Sequence, residues 1–456
     1  MRLFFSLLFS IFFAYPCFSG VVELEPITIS KFTLGRYPLD ADILLAEDIK
    51  KLPLFSLEKI ADYSSGVDIR QRAPGGVQQD VFLRGANFED TRLAIEGISI
   101  SDPQTGHFTM EVPLTRADLK EVEVYKNSRL INIKLAAPKT KGAVFASSFG
   151  EHALFEQLLS VNFSLKSIKN RLSFEHKSSK GDRQDTDFEI YNFSFHSLWE
   201  NQAGEIQFLL GSTKRDFGAN SFYSSHFSQE EEHISQRFFS GRFSFRGEGF
   251  ELDNAIFFRR HWDKFILDRH NPEFYTNYHT TYLYGFETGI EFDNKAFVDI
   301  KTRKEKITST NLGNHSRTGA GLYLGLKDKR AGGFIFDLEA GFDYYREWGC
   351  LESLHLGLGY SLSDNLKFQF IFDRLCRKPS FTELYYISPA NKGDASLKSQ
   401  KTNNFEAGFD YYGENVKLAF GVFLNKQAET IDWVKDGPTD PWQAKNIEDL
   451  KILGFD

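Results

Sequence analysis

The chain has 456 residues, 41% hydrophobic and 25% charged, enough for a large core yet too polar for a bundle of membrane helices. A net charge of −8 excludes a general nucleic-acid binder, and three cysteines exclude a disulfide framework. Forty-seven phenylalanines and eighteen tyrosines against two methionines require an extensive apolar surface for those rings to face.

In chain order, Arg2 precedes an apolar run from Leu3 to Ala14, with Pro16, Cys17, Phe18 and Ser19 behind it. Residues 1–20 therefore read as a secretory signal peptide, because about 12 apolar residues are too few for a bilayer-spanning helix. Residues 21–35 form a linker. The segment 36–138 reads as an α+β domain, with a helical stretch at Glu47–Tyr63 and strands at Asp80–Leu83, Arg92–Glu96 and Glu121–Tyr125.

Over 139–456 the texture changes. Segments of about 10 residues alternate in polarity, as strands with one apolar and one polar face do. Leu366, Phe368, Phe370 and Phe372 alternate with Lys367, Gln369, Ile371 and Asp373, and the Val416–Asn425 stretch repeats the pattern. Short polar turns such as Lys166–Asn170 and Ser363–Asn365 take turns with mostly longer connections such as Ser179–Phe188, Arg215–Ile234, Asp268–Thr281 and Lys378–Asn403. That asymmetry predicts an all-β, antiparallel transmembrane barrel of about 16 strands, with outer-membrane lipid against its apolar face.

The stretch AEDIKKLPLFSLEKIADYSSGVDIRQRAPGGVQQDVFLRGANFEDTRLAIEGISISDPQTGHF, Ala46–Phe108, resembles the plug of TonB-dependent outer-membrane receptors. KPSFTELYY at Lys378–Tyr386, SLKSQKTNNFEAGFDYY at Ser396–Tyr412 and the closing WQAKNIEDLKILGFD resemble that family's barrel, toward its cobalamin and siderophore branch. The resemblance implies a plugged barrel of about 22 strands, worked by the periplasmic energy-coupling protein TonB in the outer membrane of a Gram-negative-type bacterium. It also implies that Glu23–Ser30 is a TonB box, with Glu25, Pro26, Ile27, Thr28 and Ile29 as its centre. An extended tether of this kind adds as a strand to a partner's sheet edge.

Within the plug, the loops Gln71–Gln79 and Ser101–Phe108 are the candidates for meeting a ligand, with Arg72, Gln78, Gln104 and His107 offering hydrogen bonds. A buried Arg84 needs a carboxylate. Resemblance implies an acid of the barrel wall, Glu406 first and Glu383 second, locking the plug shut. Asp182, Asp185 and Asp187 cluster in an early loop as an oxygen donor set for structural calcium, although no cofactor is required. Cys350 and Cys376 fall near one end of the barrel, where a disulfide can staple loops. His226, His233, His270 and His279 fall in the longer connections.

No HExxH, GxSxG with partners, phosphate-cradling glycine loop or CxxC is present, so no enzyme is expected. Two departures from the family pattern stand out. SRL at Ser128–Leu130 runs almost directly into INIKLAAP, where the family carries about ten to fifteen further plug residues. About 16 strands stand where about 22 are expected, which reads as a receptor cut short by about six strands. The expected function is active, TonB-dependent uptake of a cobalamin-like or ferric-chelate ligand. The alternative is a passive porin or adhesin with a vestigial plug, or a non-functional fragment.

Overall fold

A computed structural model describes residues 41–46, 57–73, 77–223, 227–293, 295–413 and 416–456. All of them lie in one compact unit, Tyr37–Asp456. The signal peptide, the TonB box and His226 fall outside the described residues.

The plug begins with β1 (Ala41–Leu45) and a 3-10 turn at Leu57–Tyr63, the part of the expected helix that lies within the described residues. A hairpin follows, β2 (Val67–Ala73) with β3 (Val77–Leu83). Then come β4 (Arg92–Ile95), β5 (Ile98–Ser99), β6 (Leu119–Tyr125) and β7 (Leu130–Leu135). The main plug sheet has the order β1-β6-β7-β4-β5, with β4 and β7 parallel. Val122 and Val124 on β6 and Ile131 and Ile133 on β7 alternate toward a core shared with Ile60, Val81, Leu83, Leu93 and Ile95. Leu209, Phe238, Phe257 and Leu283 of the wall join that core, so plug and barrel pack as one body.

The wall opens with β8 (Lys141–Phe149), β9 (Phe155–Leu165), β10 (Ile168–Ser179), β11 (Phe188–Asn201) and β12 (Gly204–Gly218). It continues with β13 (Glu231–Gly247), β14 (Phe250–Ile266), β15 (Thr276–Phe292), β16 (Ala296–Ser309) and β17 (Gly313–Ala331). Next are β18 (Phe334–Tyr345), β19 (Gly349–Ser363), β20 (Leu366–Arg377), the short helix α1 (Phe381–Tyr385) and β21 (Asn391–Lys392). Last are β22 (Gln400–Tyr412), β23 (Lys417–Ala428), β24 (Thr430–Val434), β25 (Trp442–Ile447) and β26 (Leu450–Phe455). Sixteen of these form one antiparallel sheet from β8 to β26, in sequence order once β21, β24 and β25 are set aside. Those three make a small separate sheet in the long connections.

Outward positions carry Phe208, Phe243, Ile256, Phe286, Leu324, Phe368, Phe370 and Phe420, all exposed. Inward positions of the same strands carry buried Ser, Asn, Arg, His and carboxylates. An apolar outside around a polar inside is the inverse of a soluble sandwich and suits a wall in lipid.

Strands reach farther into the long connections than the alternation predicts. β12 runs to Gly218, β13 starts at Glu231 and β15 starts at Thr276. Their ends carry polar residues on both faces, including Lys214, Asp216, Glu231 and His233, so period-two hydropathy fades while the backbone ladder continues. His233 and His279 consequently sit in strands, not loops.

Candidate functional site

Two regions of plug–wall contact carry most of the buried chemistry. The first lies where plug loops meet the long connections. Asp80 on β3 stands 2.6 Å from His107 Nδ1, and the His107 ring stacks on Phe88 at 4.3 Å between centroids. Tyr223, from the β12–β13 connection, meets that ring edge-on and donates its hydroxyl to Glu232 of the inner wall at 2.6 Å. Glu89 accepts a 2.8 Å hydrogen bond from the Thr105 hydroxyl. Backbone hydrogen bonds from Phe381 and Thr382 to the carbonyls of Pro103 and Gln104, at 2.9 and 3.0 Å, clamp this plug loop to α1.

Burial opposes charge on His107, but Asp80, its hydrogen bond and Glu89 outweigh that and raise the imidazole pKa. Burial first, then the Glu383 charge, pushes the Glu89 carboxyl up to about 7, against the pull of Arg377 and His107.

The four candidate ligand contacts separate here. Arg72 is 41% exposed along its side chain and His107 25%. Gln78 and Gln104 are buried, which corrects their placement on open loops. Gln78 lies inside β3, at φ 28°. Among the described residues, neither amide atom of Gln78 or Gln79 has a hydrogen-bond partner. Pro74, Gly75 and Gly76, at the tip of the first loop, lie outside the described residues.

The second region is the seam around Arg84, which follows β3 at φ 49°, a left-handed conformation that costs a non-glycine residue energy. Arg84 donates to Glu406 at 2.8 Å, to Asn127 at 2.7 Å and to Asp456 at 2.5 Å, and lies 4.5 Å over the Phe423 ring. Asn127 also donates to Glu406 at 2.7 Å. The second acid considered for Arg84, Glu383, is elsewhere: it caps α1 through Ser380 and takes a forked ion pair from Arg377 at 2.8 and 3.1 Å. A reciprocal Ser-x-x-Glu cap needs its glutamate at the helix start, which places it beside Arg377 and away from Arg84.

The shortened stretch after β6 is a tight turn, Lys126–Arg129, whose long side chains all have partners. Lys126 reaches Asp42 at 3.0 Å and Asp456 at 3.1 Å, and Arg129 reaches Asp90 at 2.6 Å. Asp90 is shared with Arg377 at 2.8 Å and Gln400 at 2.9 Å, so plug and wall meet through one carboxylate. Asp118 likewise accepts from Arg171 at 2.9 Å and Ser194 at 2.7 Å, and Asp102 from Arg259 and from Thr281. None of these plug acids was singled out from the sequence; an Asp in a plug turn looks solvated until the wall arginine that faces it is known.

In the outer loops Asp185 and Asp187 face Arg269, at 3.1 and 2.6 Å, and Asp182 accepts from Thr186. Among the described residues no group of three or more His, Cys, Asp or Glu could hold a metal ion, and the Arg269 guanidinium supplies counter-charge to Asp185 and Asp187. Cys350 and Cys376 are both free thiols.

A polar-lined, lipid-faced β-wall filled by an N-terminal mixed domain defines a class of plugged outer-membrane-type receptor. The family model for the TonB dependent receptor-like β-barrel matches residues 145–456, and that for the TonB-dependent receptor plug domain matches 35–132. The chain belongs to the TonB-dependent receptor family, whose members are transporters, not enzymes. It is 20% identical to the vitamin B12 transporter BtuB of Vibrio vulnificus over 455 residues, covering 91% of this chain and 71% of that protein. Its fold matches the siderophore receptor PirA of Pseudomonas aeruginosa with a TM-score of 0.74 at 14% identity, covering 91% of this chain and 81% of that one. The hemophore receptor HasR of Serratia marcescens, solved with its hemophore and heme, gives 0.76 at 12%, covering 92% and 79%.

Proposed function

We propose that this chain is an outer-membrane importer that uses TonB to take up a scarce, large polar ligand of the cobalamin or ferric-chelate class. The observation that carries the reading is the seam itself. Buried ion pairs from Arg84, Asp90, Asp102 and Asp118 fasten the plug to four stretches of wall, so a large solute cannot pass without work done on the plug. Breaking one buried pair costs about 3–5 kcal/mol, more than thermal motion supplies to several at once. A passive porin has no use for such a seal. The likeness to a vitamin B12 transporter and the fold shared with siderophore receptors support the ligand class.

Orientation follows: the short turns face the periplasm, where Glu23–Ser30 meets TonB, and the long connections with His107, Arg72 and Tyr223 face outward. The test is accumulation of radiolabelled cyanocobalamin and of ferric enterobactin in a strain lacking its own receptors for both. The expected result is energy-dependent accumulation of one of them, abolished by deleting residues 23–30 while surface binding persists. Accumulation indifferent to that deletion supports the passive barrel instead.

A further inference from the structure

One part of the plug–wall boundary is not sealed. Between the plug turn Glu96–Gly97 and the inner faces of β13 to β17 lies a cavity of about 390 Å³, whose lining includes Gly97, Arg242, Asp253, Glu287, Asp299 and Lys301. Its wall residues lie near the short turns: Glu251 follows the β13–β14 turn by two residues, and Glu291 and Phe297 flank the β15–β16 turn. The cavity therefore sits at the short-turn end of the lumen, below the plug.

Two wall arginines hold the plug at this boundary: Arg303 donates to the Ser99 carbonyl at 3.1 Å, and Arg242 forms the latch beside the cavity. Arg242 donates to the Glu96 carbonyl at 3.2 Å and lies 3.8 Å from the Glu96 carboxylate, while its other nitrogens reach Asp253 at 3.0 and 2.7 Å. The Arg242 and Glu96 side chains are 25% and 20% exposed, against 2% and 9% for Arg84 and Glu406. Water that already reaches an ion pair can replace either partner at little cost, whereas a buried pair must be separated into a medium that solvates neither ion. The latch is thus the weakest of these plug–wall ion pairs.

The latched element lies at the edge of the plug sheet, where the Glu96 and Gly97 amides donate to the Ile133 carbonyl and the Asn132 side chain of β7, each at 2.9 Å. Glu96 and Gly97, at φ 52° and 80°, make the two-residue turn of the β4–β5 hairpin. β5 is two residues long and forms the sheet's outer edge, so displacing it breaks no interior ladder.

We propose that this cavity is the exit vestibule of the transport path and that the Glu96–Ser99 edge of the plug sheet, held by Arg242 and Arg303, is its gate. The inference rests on the uptake reading. The lining sets five carboxylates against Arg242, Lys301 and Lys327, so it is net acidic yet offers both hydrogen-bond donors and acceptors to a polar ligand.

The test needs no ligand. The full chain, with Cys350→Ser and Cys376→Ser, is placed in planar bilayers and its ion conductance recorded. Arg242→Ala should raise conductance several-fold over the otherwise unaltered receptor, and Glu96→Gln, which removes the plug-side carboxylate that faces Arg242, should raise it as well. Adding Asp299→Cys to the Arg242→Ala receptor and treating it with a bulky charged thiol reagent should remove more than half of the added current. If both latch variants match the parent, or if the reagent leaves the current unchanged, the gate is not here. A gated current in a protein that accumulates neither labelled ligand overturns the uptake reading and keeps the gate; normal accumulation with no latch effect does the reverse.

Discussion

Arg84 and Glu406 are 322 residues apart in the chain and 2.8 Å apart in space, joined across the plug–wall seam with Asn127 hydrogen-bonded to both. Asp456 takes a second face of the same guanidinium, so Arg84 answers to two acids. Removing the arginine leaves both carboxylates in a low-dielectric seam.

Arg84→Ala should therefore lower the stability of the plug by about 3–5 kcal/mol, read as a shift in urea unfolding of the plug in detergent. A charge swap, Arg84→Glu with Glu406→Arg, should recover only part of that loss, because the new glutamate would face Asp456. Adding Asp456→Asn should recover most of the remainder. Equal stability of the swap and either single variant would show that the two side chains do not interact in solution.

Around His107 the prediction concerns pH. Its folded-state pKa is raised, chiefly because Asp80 outweighs burial, so its stabilising effect is complete below the unfolded value of about 6.5 and is lost as pH rises through the folded value. Glu89, pushed to about 7 by burial, holds a proton in the folded plug that the unfolded chain releases above about 4.5, so its ionisation also lowers stability as pH rises. The thermal midpoint should fall between pH 5.5 and 8.5. Glu89→Gln, which keeps the neutral form at every pH, should flatten the slope toward higher pH, by at most about 1.4 kcal/mol per pH unit over the window in which Glu89 titrates.

What the sequence disclosed follows from the range of each interaction. Strand alternation is local and shows wherever one face is apolar, as at Phe368 and Phe370, so the sixteen-strand wall could be counted; it fades at Glu231 and Thr276, where polar residues occupy both the outer and the buried inner face. Ion pairs across the seam span distances such as the 157 residues between Asp102 and Arg259, and nothing at either position marks the other. Gln78 and Gln104 belong to loops read as candidates for meeting a ligand, and the fold buries both amides, which nothing in the local sequence marks. The turn Lys126–Arg129 reads as a deficit in the plug, yet Lys126 and Asn127 reach the wall at Asp456 and Glu406.

In the outer loops Arg269 neutralises Asp185 and Asp187 and also reaches Glu231 at 3.2 Å. Chelation with EDTA should leave the thermal midpoint unchanged. Arg269→Ala should lower it by a few degrees and, by leaving the aspartates without a cation, make it rise on addition of millimolar calcium. A midpoint in the parent protein that drops with EDTA would restore the metal to this loop.

The last prediction separates contact from support at the plug apex. Arg72 is exposed enough to meet a ligand, and a charge-assisted hydrogen bond contributes about 1.5–3 kcal/mol. Arg72→Ala should then weaken binding of the transported probe, cyanocobalamin or ferric enterobactin, by about ten-fold or more in equilibrium titration, with little change in stability. Gln78 stands in the opposite position, buried with an amide that no described residue satisfies. A buried polar group without a partner is a cost, so Gln78→Met, similar in volume and apolar, should be neutral or stabilising by about 1 kcal/mol and leave affinity unchanged. If Gln78→Met instead costs affinity while stability holds, the amide is a ligand contact reached only when the plug shifts, and the apex must open before it binds.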